Sequence, residues 1–223
     1  MRLVKQLADG VWQLGGFPPN AINVYVIEDV LIDAGTRFEG RRILRQLQGQ
    51  TINAHALTHA HPDHQGASHR ICTELSIPYW VGAGDDDAAA DPSLIGVRQP
   101  DHPITQFFVK TCTGPGHPVD RVLREGDEVG GFKVLAVPGH SAGHIAFWRE
   151  SDRVLVAGDV LNTADSLTMI PGLREPKRFF TPDPERNRIS LKRLGELEPS
   201  LVLVGHGAPY RDAKKFGEFC ASV

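Results

Sequence analysis

The apolar run Ala54-His55-Ala56-Leu57 opens directly into Thr58-His59-Ala60-His61-Pro62-Asp63-His64. No other stretch restricts the fold as tightly. Run and length make Ala54–Thr58 a buried strand. In the turn after it, His59 and His61 can project to one side. Pro62 suits the first turn of a following helix, where an acidic residue is also favoured. Asp63 and His64 therefore face the same hollow from a second direction. Imidazole and carboxylate are common nitrogen and oxygen ligands of zinc. Four donors this close in sequence cannot easily wrap one tetrahedral ion, which points to two neighbouring metals sharing the cluster.

A two-metal site needs ligands from elsewhere, and three candidates each follow a strand-like run. Pro138-Gly139-His140 comes after the strand ending at Val137, Gly158-Asp159 after Val154-Leu155-Val156-Ala157, and Gly205-His206-Gly207 after Leu201–Val204. Ligands carried at the ends of rigid elements keep their geometry. The flanking glycines permit tight turns and leave room for ions and substrate.

Around these points the chain reads as alternating strands and helices. Val24–Ile27 and Leu31–Ile32 are strands joined by the acidic turn Glu28-Asp29. A helix is expected around Glu39–Leu47 with Ile43, Leu44 and Leu47 on one face, and another from Asp63 to Glu74. Residues Pro78–Gly131, interrupted by several prolines, are expected to form loops and short elements at a pocket rim. Strands follow at Lys133–Val137, Ile145–Trp148 and Val154–Ala157. Pro184–Leu197 is a helix presenting Ile189, Leu191, Leu194 and Leu197, Leu201–Val204 a strand, and Ala213–Phe219 a short last helix. No low-complexity linker interrupts the pattern, so residues 1–223 read as one domain. Two face-to-face sheets with helices outside fit this order, and so does a Rossmann-like sheet.

Charge narrows the partners. Twenty-four Lys and Arg against 27 Asp and Glu leave a formal charge of −3, which disfavours a protein that binds by neutralising many phosphates. No stretch approaches the ~18–20 apolar residues of a membrane span, and Met1–Gln6 breaks into charge before a signal peptide could form. Cys72, Cys112 and Cys220 are odd in number and far apart, which suits a reducing, cytoplasmic setting.

With Asp33 in Ile32-Asp33-Ala34-Gly35, then His59-x-His61-x-Asp63-His64, His140, Asp159 and His206 in that order, the chain resembles the metallo-β-lactamase fold superfamily over nearly its whole length. The resemblance implies an α/β fold, a four-layer αβ/βα sandwich of two mixed β-sheets with outer helices, and metals at one edge between the sheets. It implies that His59, His61 and His140 hold one divalent ion, that Asp63, His64 and His206 hold the other, and that Asp159 bridges them. Zinc is the expected metal, with iron or manganese as alternatives. A shared water would be the nucleophile, with Asp63 as the catalytic base. His64 and Asp159 resemble the glyoxalase II and lactonase branches more than the β-lactamases. The expected reaction is therefore hydrolysis of a small ester-like bond, a thioester or lactone. The alternatives are β-lactam hydrolysis and an iron-dependent persulfide dioxygenase on the same fold. The expected partner is a small-molecule substrate, with no nucleic acid and no membrane.

Further residues carry weaker expectations. His144 reads as a residue packed behind the ligands, Asp33 as an orienting acceptor or a turn-former, and His55 as structural. His69, His102 and His117 read as surface residues, Cys72 and Cys220 as small buried hydrophobes, and Asp85–Asp87 as a solvated helix start or loop. Leu161–Phe180 should line the pocket mouth through Leu167, Met169, Ile170, Leu173, Phe179 and Phe180. Arg174, Lys177 and Arg178 are either solvated there or meet an anionic group of the substrate.

Overall fold

A computed structural model describes residues 4–223. Met1, Arg2 and Leu3, the start of the segment expected to preclude a signal peptide, lie outside the described residues. The first sheet begins as an antiparallel meander of β1 (Val4–Ala8), β2 (Val11–Leu14), β3 (Val24–Ile27) and β4 (Val30–Ile32). Helix α1 (Gly40–Gln46) then leads to β5 (Ala54–Leu57), parallel to β4. Helices α2 (Pro62–Gln65) and α3 (Ser68–Leu75) lead to β6 (Tyr79–Gly82), parallel to β5. Helices α4 (Asp86–Ala90), α5 (Ser93–Val97) and α6 (Pro103–Cys112) precede β7 (Arg121–Leu123), which closes this seven-stranded sheet.

The second sheet holds β8 (Glu128–Val129), β9 (Phe132–Ala136), β10 (Ile145–Arg149) and β11 (Val154–Gly158), all antiparallel neighbours. A hairpin of β12 (Asn162–Ala164) and β13 (Pro171–Arg174), a 3₁₀ turn at Arg178–Phe180 and helix α7 (Pro184–Gly195) then lead to β14 (Leu201–Val204). Strand β14 pairs parallel with β11, and α8 (Ala213–Ser222) ends the chain. Both large sheets are mixed, as expected.

The central strands β3, β4, β5, β11 and β14 are buried on both faces, which is why they read as unbroken apolar runs. Tyr25, Ile27, Ile32 and Ala56 of the first sheet meet Phe132, Phe147, Val156 and Leu203 of the second in a core between the sheets. The alternate residues Val24, Val26, Leu31 and Leu57 point outward, onto Ile43 of α1 and Ile71 of α3. On the other outer face Leu135, Trp148, Leu155 and Val202 pack on Leu191 and Leu194 of α7 and Phe216 of α8. The layers therefore run helix, sheet, sheet, helix. This settles the choice left open by periodicity in favour of two facing sheets. Among the described residues no helix is long and apolar enough to cross a membrane.

Two local expectations are corrected and a third, short elements within Pro78–Gly131, is met. The helix expected over Asp63–Glu74 is two helices, α2 and α3, broken at Gly66 and Ala67. The loop at Thr36–Arg37 crosses so close to Gly66 that a Cβ there would collide with its backbone. In α7 Ile189 is exposed, and the buried face is Asn187, Ser190, Leu191 and Leu194. Ile189 lies two residues before Leu191, about 200° around a helix of 3.6 residues per turn, so the two cannot share a face. Within Pro78–Gly131 the chain is more regular than its prolines suggest. Pro103 stands in the first turn of the ten-residue helix α6, and the imidazole of His102 caps it.

Candidate metal centre

Strands β9, β11 and β14 run in one direction, because β10 is antiparallel to both its neighbours and β14 is parallel to β11. Their carboxyl ends therefore share one edge, which delivers His140, Asp159 and His206 together. The carboxyl end of β5 delivers His59 and His61 to the same hollow, and the first turn of α2 adds Asp63 and His64. Gly205 is required beside them, since a Cβ there would overlap Asp159 Oδ1 and crowd His64.

All seven residues come together, and all are buried. Three overlapping sets place their ligand atoms within 4.8 Å of one another: His59, His61 and His140; His59, His64 and Asp159; Asp63, His64 and His206. Asp159 Oδ2 lies 3.0 Å from His206 Nε2 and 3.6 Å from His140 Nε2, while Oδ1 lies 3.6 Å from His64 Nε2. Asp63 Oδ2 is 3.1 Å from His206 Nε2. Buried polar atoms almost always have hydrogen-bond partners. Here His59 Nε2, His64 Nε2, His140 Nε2 and Asp159 Oδ1 have none. Four orphaned donor atoms of the types that bind divalent ions, gathered in one hollow, fit a metal centre.

The outer nitrogens of these imidazoles are held. His64 Nδ1–H donates to Asp33 Oδ2 at 2.8 Å, and His206 Nδ1–H to the carbonyl of Ala21 at 2.5 Å. His59 Nδ1 meets Thr58 Oγ1 at 3.0 Å, and the hydroxyl proton of Thr58 goes to Asp33. His140 Nδ1 meets Thr181 Oγ1 at 3.0 Å, and the hydroxyl of Thr181 donates to the carbonyl of Lys177. With each threonine proton committed elsewhere, its oxygen accepts from the imidazole. All four rings thus hold Nδ1 against an oxygen and turn Nε2 into the hollow, the arrangement that outer partners impose on metal-binding histidines. His61 differs: its Nε2 lies 2.7 Å from the Gln99 side-chain amide. Asp33 is therefore the orienting acceptor, taking also the Thr58 N–H at 2.8 Å.

Charge is divided between the two halves. Burial opposes protonation of His64, yet Asp33, Asp159 and Asp63 hold its pKa up to about 10. Against the same desolvation, Asp159 and Asp63 push His206 well above the ordinary imidazole range. Burial would raise Asp63 and Asp159, but the imidazoliums of His64 and His206 hold both below the usual carboxylate range. His59, His61 and His140 are lowered, first by burial, and His59 and His140 further by surrounding imidazoles. Without metal, one half holds carboxylates against imidazoliums and the other holds neutral imidazoles. His144 lies behind the candidate ligands, as expected. Its Nε2 accepts from the Asp159 N–H at 3.3 Å, and burial lowers it to about 3.

The hollow opens into a cavity of about 370 Å³ whose walls include Ile104, Phe107, Phe108, Leu167 and Phe180. Leu167 and Phe180 were expected there; Met169, Ile170, Leu173 and Phe179 are not part of its lining. Phe179 instead stacks on His102 and accepts the Thr105 hydroxyl through its carbonyl, which fastens the 3₁₀ turn to α6. Lys177 borders the cavity, but its ammonium sits 2.5 Å from Asp165, and Arg174 pairs with the same carboxylate at 3.3 Å. Arg178 borders a separate groove.

Asp85–Asp87 stand at the start of α4, as expected, but Asp85 itself is not solvated. It is buried, accepting from Ala60 N–H at 2.9 Å, Ser141 Oγ–H at 2.6 Å and Gly143 N–H at 2.9 Å. One carboxylate thus ties the loop of His59 and His61 to the loop of His140. Neither Asp85, Gln99 nor Thr181 carries a local sequence signal for its role. His55 is structural, bonded to Leu31 O and Ser68 Oγ. His69 and His117 are half-buried and meet each other at 3.2 Å.

The family model described as the metallo-beta-lactamase superfamily matches residues 17–206. The chain is similar to the probable metallo-hydrolase YflN of Bacillus subtilis (strain 168), with 31% identity over 220 residues, covering 87% of this chain and 83% of that one. Its fold matches that of the metallo-beta-lactamase family protein TTHA1429 of Thermus thermophilus, with a TM-score of 0.70 and 24% identity over 97% of this chain and 80% of that one. It is also similar to TTHA1623, solved in a di-iron-bound form, with a TM-score of 0.62 and 29% identity over 93% of each chain.

Proposed function

The chain belongs to the metallo-beta-lactamase superfamily, and on that premise we propose that it is a two-metal hydrolase of a small ester-like bond, a thioester or lactone. The observation that carries this reading is the set of four orphaned, buried donor atoms where three ligand groups overlap. In this reading His59, His61 and His140 would hold one ion, Asp63, His64 and His206 would hold the other, and Asp159 would serve both, since its carboxylate reaches His140 of one set and His64 and His206 of the other. Zinc is the expected metal. The di-iron form of TTHA1623 supports a two-ion site and makes iron the alternative. When bound, two such ions polarise a carbonyl and bring a water toward ionisation at neutral pH.

The chain's own residues supply the rest. Asp63 lines the cavity beside His206, so its Oδ2 is placed to take the proton of the attacking water and return it to the departing alkoxide or thiolate. Ile104, Phe107, Phe108 and Phe180 shield the acyl part of the substrate from water. Outside the His/Asp cluster, Lys177 is the cationic side chain among the described lining residues, and Asp165 occupies it. This favours a substrate whose body is neutral and apolar over one anchored by a carboxylate. Unpaired thiols at Cys72, Cys112 and Cys220 support a cytoplasmic setting.

Elemental analysis of the protein as isolated, followed by thioester, lactone, β-lactam and phosphodiester substrates, tests the proposal. Two ions per chain with turnover of a thioester or lactone are expected. One iron per chain with oxygen uptake on a persulfide, or turnover confined to β-lactams, would overturn it.

A further inference from the structure

Of the five imidazoles in the hollow, His61 is held through the opposite nitrogen from the rest. Its Nε2 meets the side-chain amide of Gln99 at 2.7 Å. The Gln99 carbonyl oxygen, meanwhile, is buried without a partner. An amide has one accepting and one donating end, so either can face the ring. Turning Oε1 to His61 in place of the amide nitrogen leaves one amide end unpaired in either case, so the choice rests on the ring. With its Nε2 taken by Gln99, a ligating His61 must use Nδ1 and carry its proton on Nε2, and only Oε1 can accept that proton. Nδ1 is then the bare nitrogen. The other four rings show the same logic, since each has its outer nitrogen protonated against an oxygen of Thr58, Asp33, Thr181 or Ala21.

We propose that Gln99 is a positioning residue that fixes the tautomer of His61 and so readies Nδ1 as a metal-binding atom. The inference rests on His61 being a ligand. Gln99 comes from the segment between α5 and α6, beyond the ligand motif, and lines the substrate cavity. Its amide also borders a second cavity, which lies against Asp85 and Ser141. Gln99 thus stands in the partition between the two spaces, and the α5–α6 segment that shapes the pocket also sets the ligand atom of one metal half.

Two readouts test this without relying on turnover. Nitrogen-15 spectra of the metal-free protein report the tautomer of His61 directly, and chelator competition reports the affinity of each ion. The wild type should show His61 protonated at Nε2 and bind two ions. Gln99→Leu, which offers no acceptor, should show a tautomer mixture and bind one of the two ions about 10–100-fold more weakly, the usual consequence of losing a ligand's outer partner. Gln99→Glu keeps an acceptor there and should restore both the tautomer and the affinity to within a few-fold of wild type.

Nδ1 protonation of His61 in the wild type would overturn the proposal, and that reading needs no variant to fold. Wild-type affinity for both ions in Gln99→Leu would also overturn it, as would a loss in Gln99→Glu equal to that in Gln99→Leu. Failure of the two-metal reading itself looks different: the wild type then binds fewer than two ions before any residue is changed.

Discussion

Replacing Asp33 with Asn changes one atom and tests how the site sets its ligands. The backbone tolerates the change, because Asp33 sits at φ 62°, a left-handed conformation that Asn adopts readily. Asp33 accepts from Thr58 N–H, Thr58 Oγ–H and His64 Nδ1–H. An amide carbonyl can keep the two Thr58 bonds, but its NH₂ then faces His64 Nδ1. To avoid a clash of donors, His64 must move its proton to Nε2, the nitrogen turned toward Asp159 and Asp63. That nitrogen can no longer ligate. Loss of such an outer partner costs about 10–100-fold in metal affinity, or about 1–3 kcal/mol at 1.36 kcal/mol per tenfold.

The metal-free protein feels the same change differently. There His64 is an imidazolium against Asp33, and breaking a buried pair by removing one charge costs about 3–5 kcal/mol. The pH dependence carries a sign. The folded pKa of His64, about 10, lies above its ordinary 6.5. Its stabilisation is therefore complete below pH 6.5 and is lost as pH rises toward 10. Chelated wild-type protein should lose stability across that window, and Asp33→Asn should start lower and fall less. Urea unfolding of chelated protein from pH 6 to 10, with chelator competition for the loaded form, measures both effects. Wild-type metal affinity together with an unchanged pH decline in Asp33→Asn would refute the reasoning.

Other substitutions probe separate parts of the account. Asp159→Ala should lose bound metal as well as activity, because no carboxylate would screen two adjacent dications; two retained ions with full turnover would remove the bridging assignment. Asp85→Ala leaves the donors of Ala60, Ser141 and Gly143 unpaired in a buried space and should destabilise the fold by about 3–5 kcal/mol. Urea unfolding of the chelated protein checks this, and a change under 1 kcal/mol would contradict the brace. Lys177→Ala should alter KM for carboxylated and neutral substrates alike, since Asp165 already holds the ammonium; a selective loss on the carboxylated substrate, read by steady-state kinetics, would show that Lys177 binds it.

The candidate ligands were legible because few residue types bind metals and most of these sit where an apolar run stops. His59, His140, Asp159 and His206 are marked by the strands that carry them, so the order of motifs locates one shared edge. The outer partners follow a different logic. Thr181 and Gln99 reach His140 and His61 from 41 and 38 residues away, and neither residue type is distinctive. Asp85 was hidden among three consecutive aspartates, where sequence cannot tell which one folds inward. The break between α2 and α3 depends on a contact between Gly66 and the loop at Thr36–Arg37 that no local pattern announces. Periodicity also misassigned Ile189, since apolar character alone placed it on a face that the helix turns to solvent.

Anomalous diffraction from crystals loaded with zinc addresses the central claim most directly. Two strong peaks about 3.5–4 Å apart, one against His59, His61 and His140 and one against Asp63, His64 and His206 with Asp159 between them, are the predicted result. A single peak, or peaks away from these seven side chains, would contradict it.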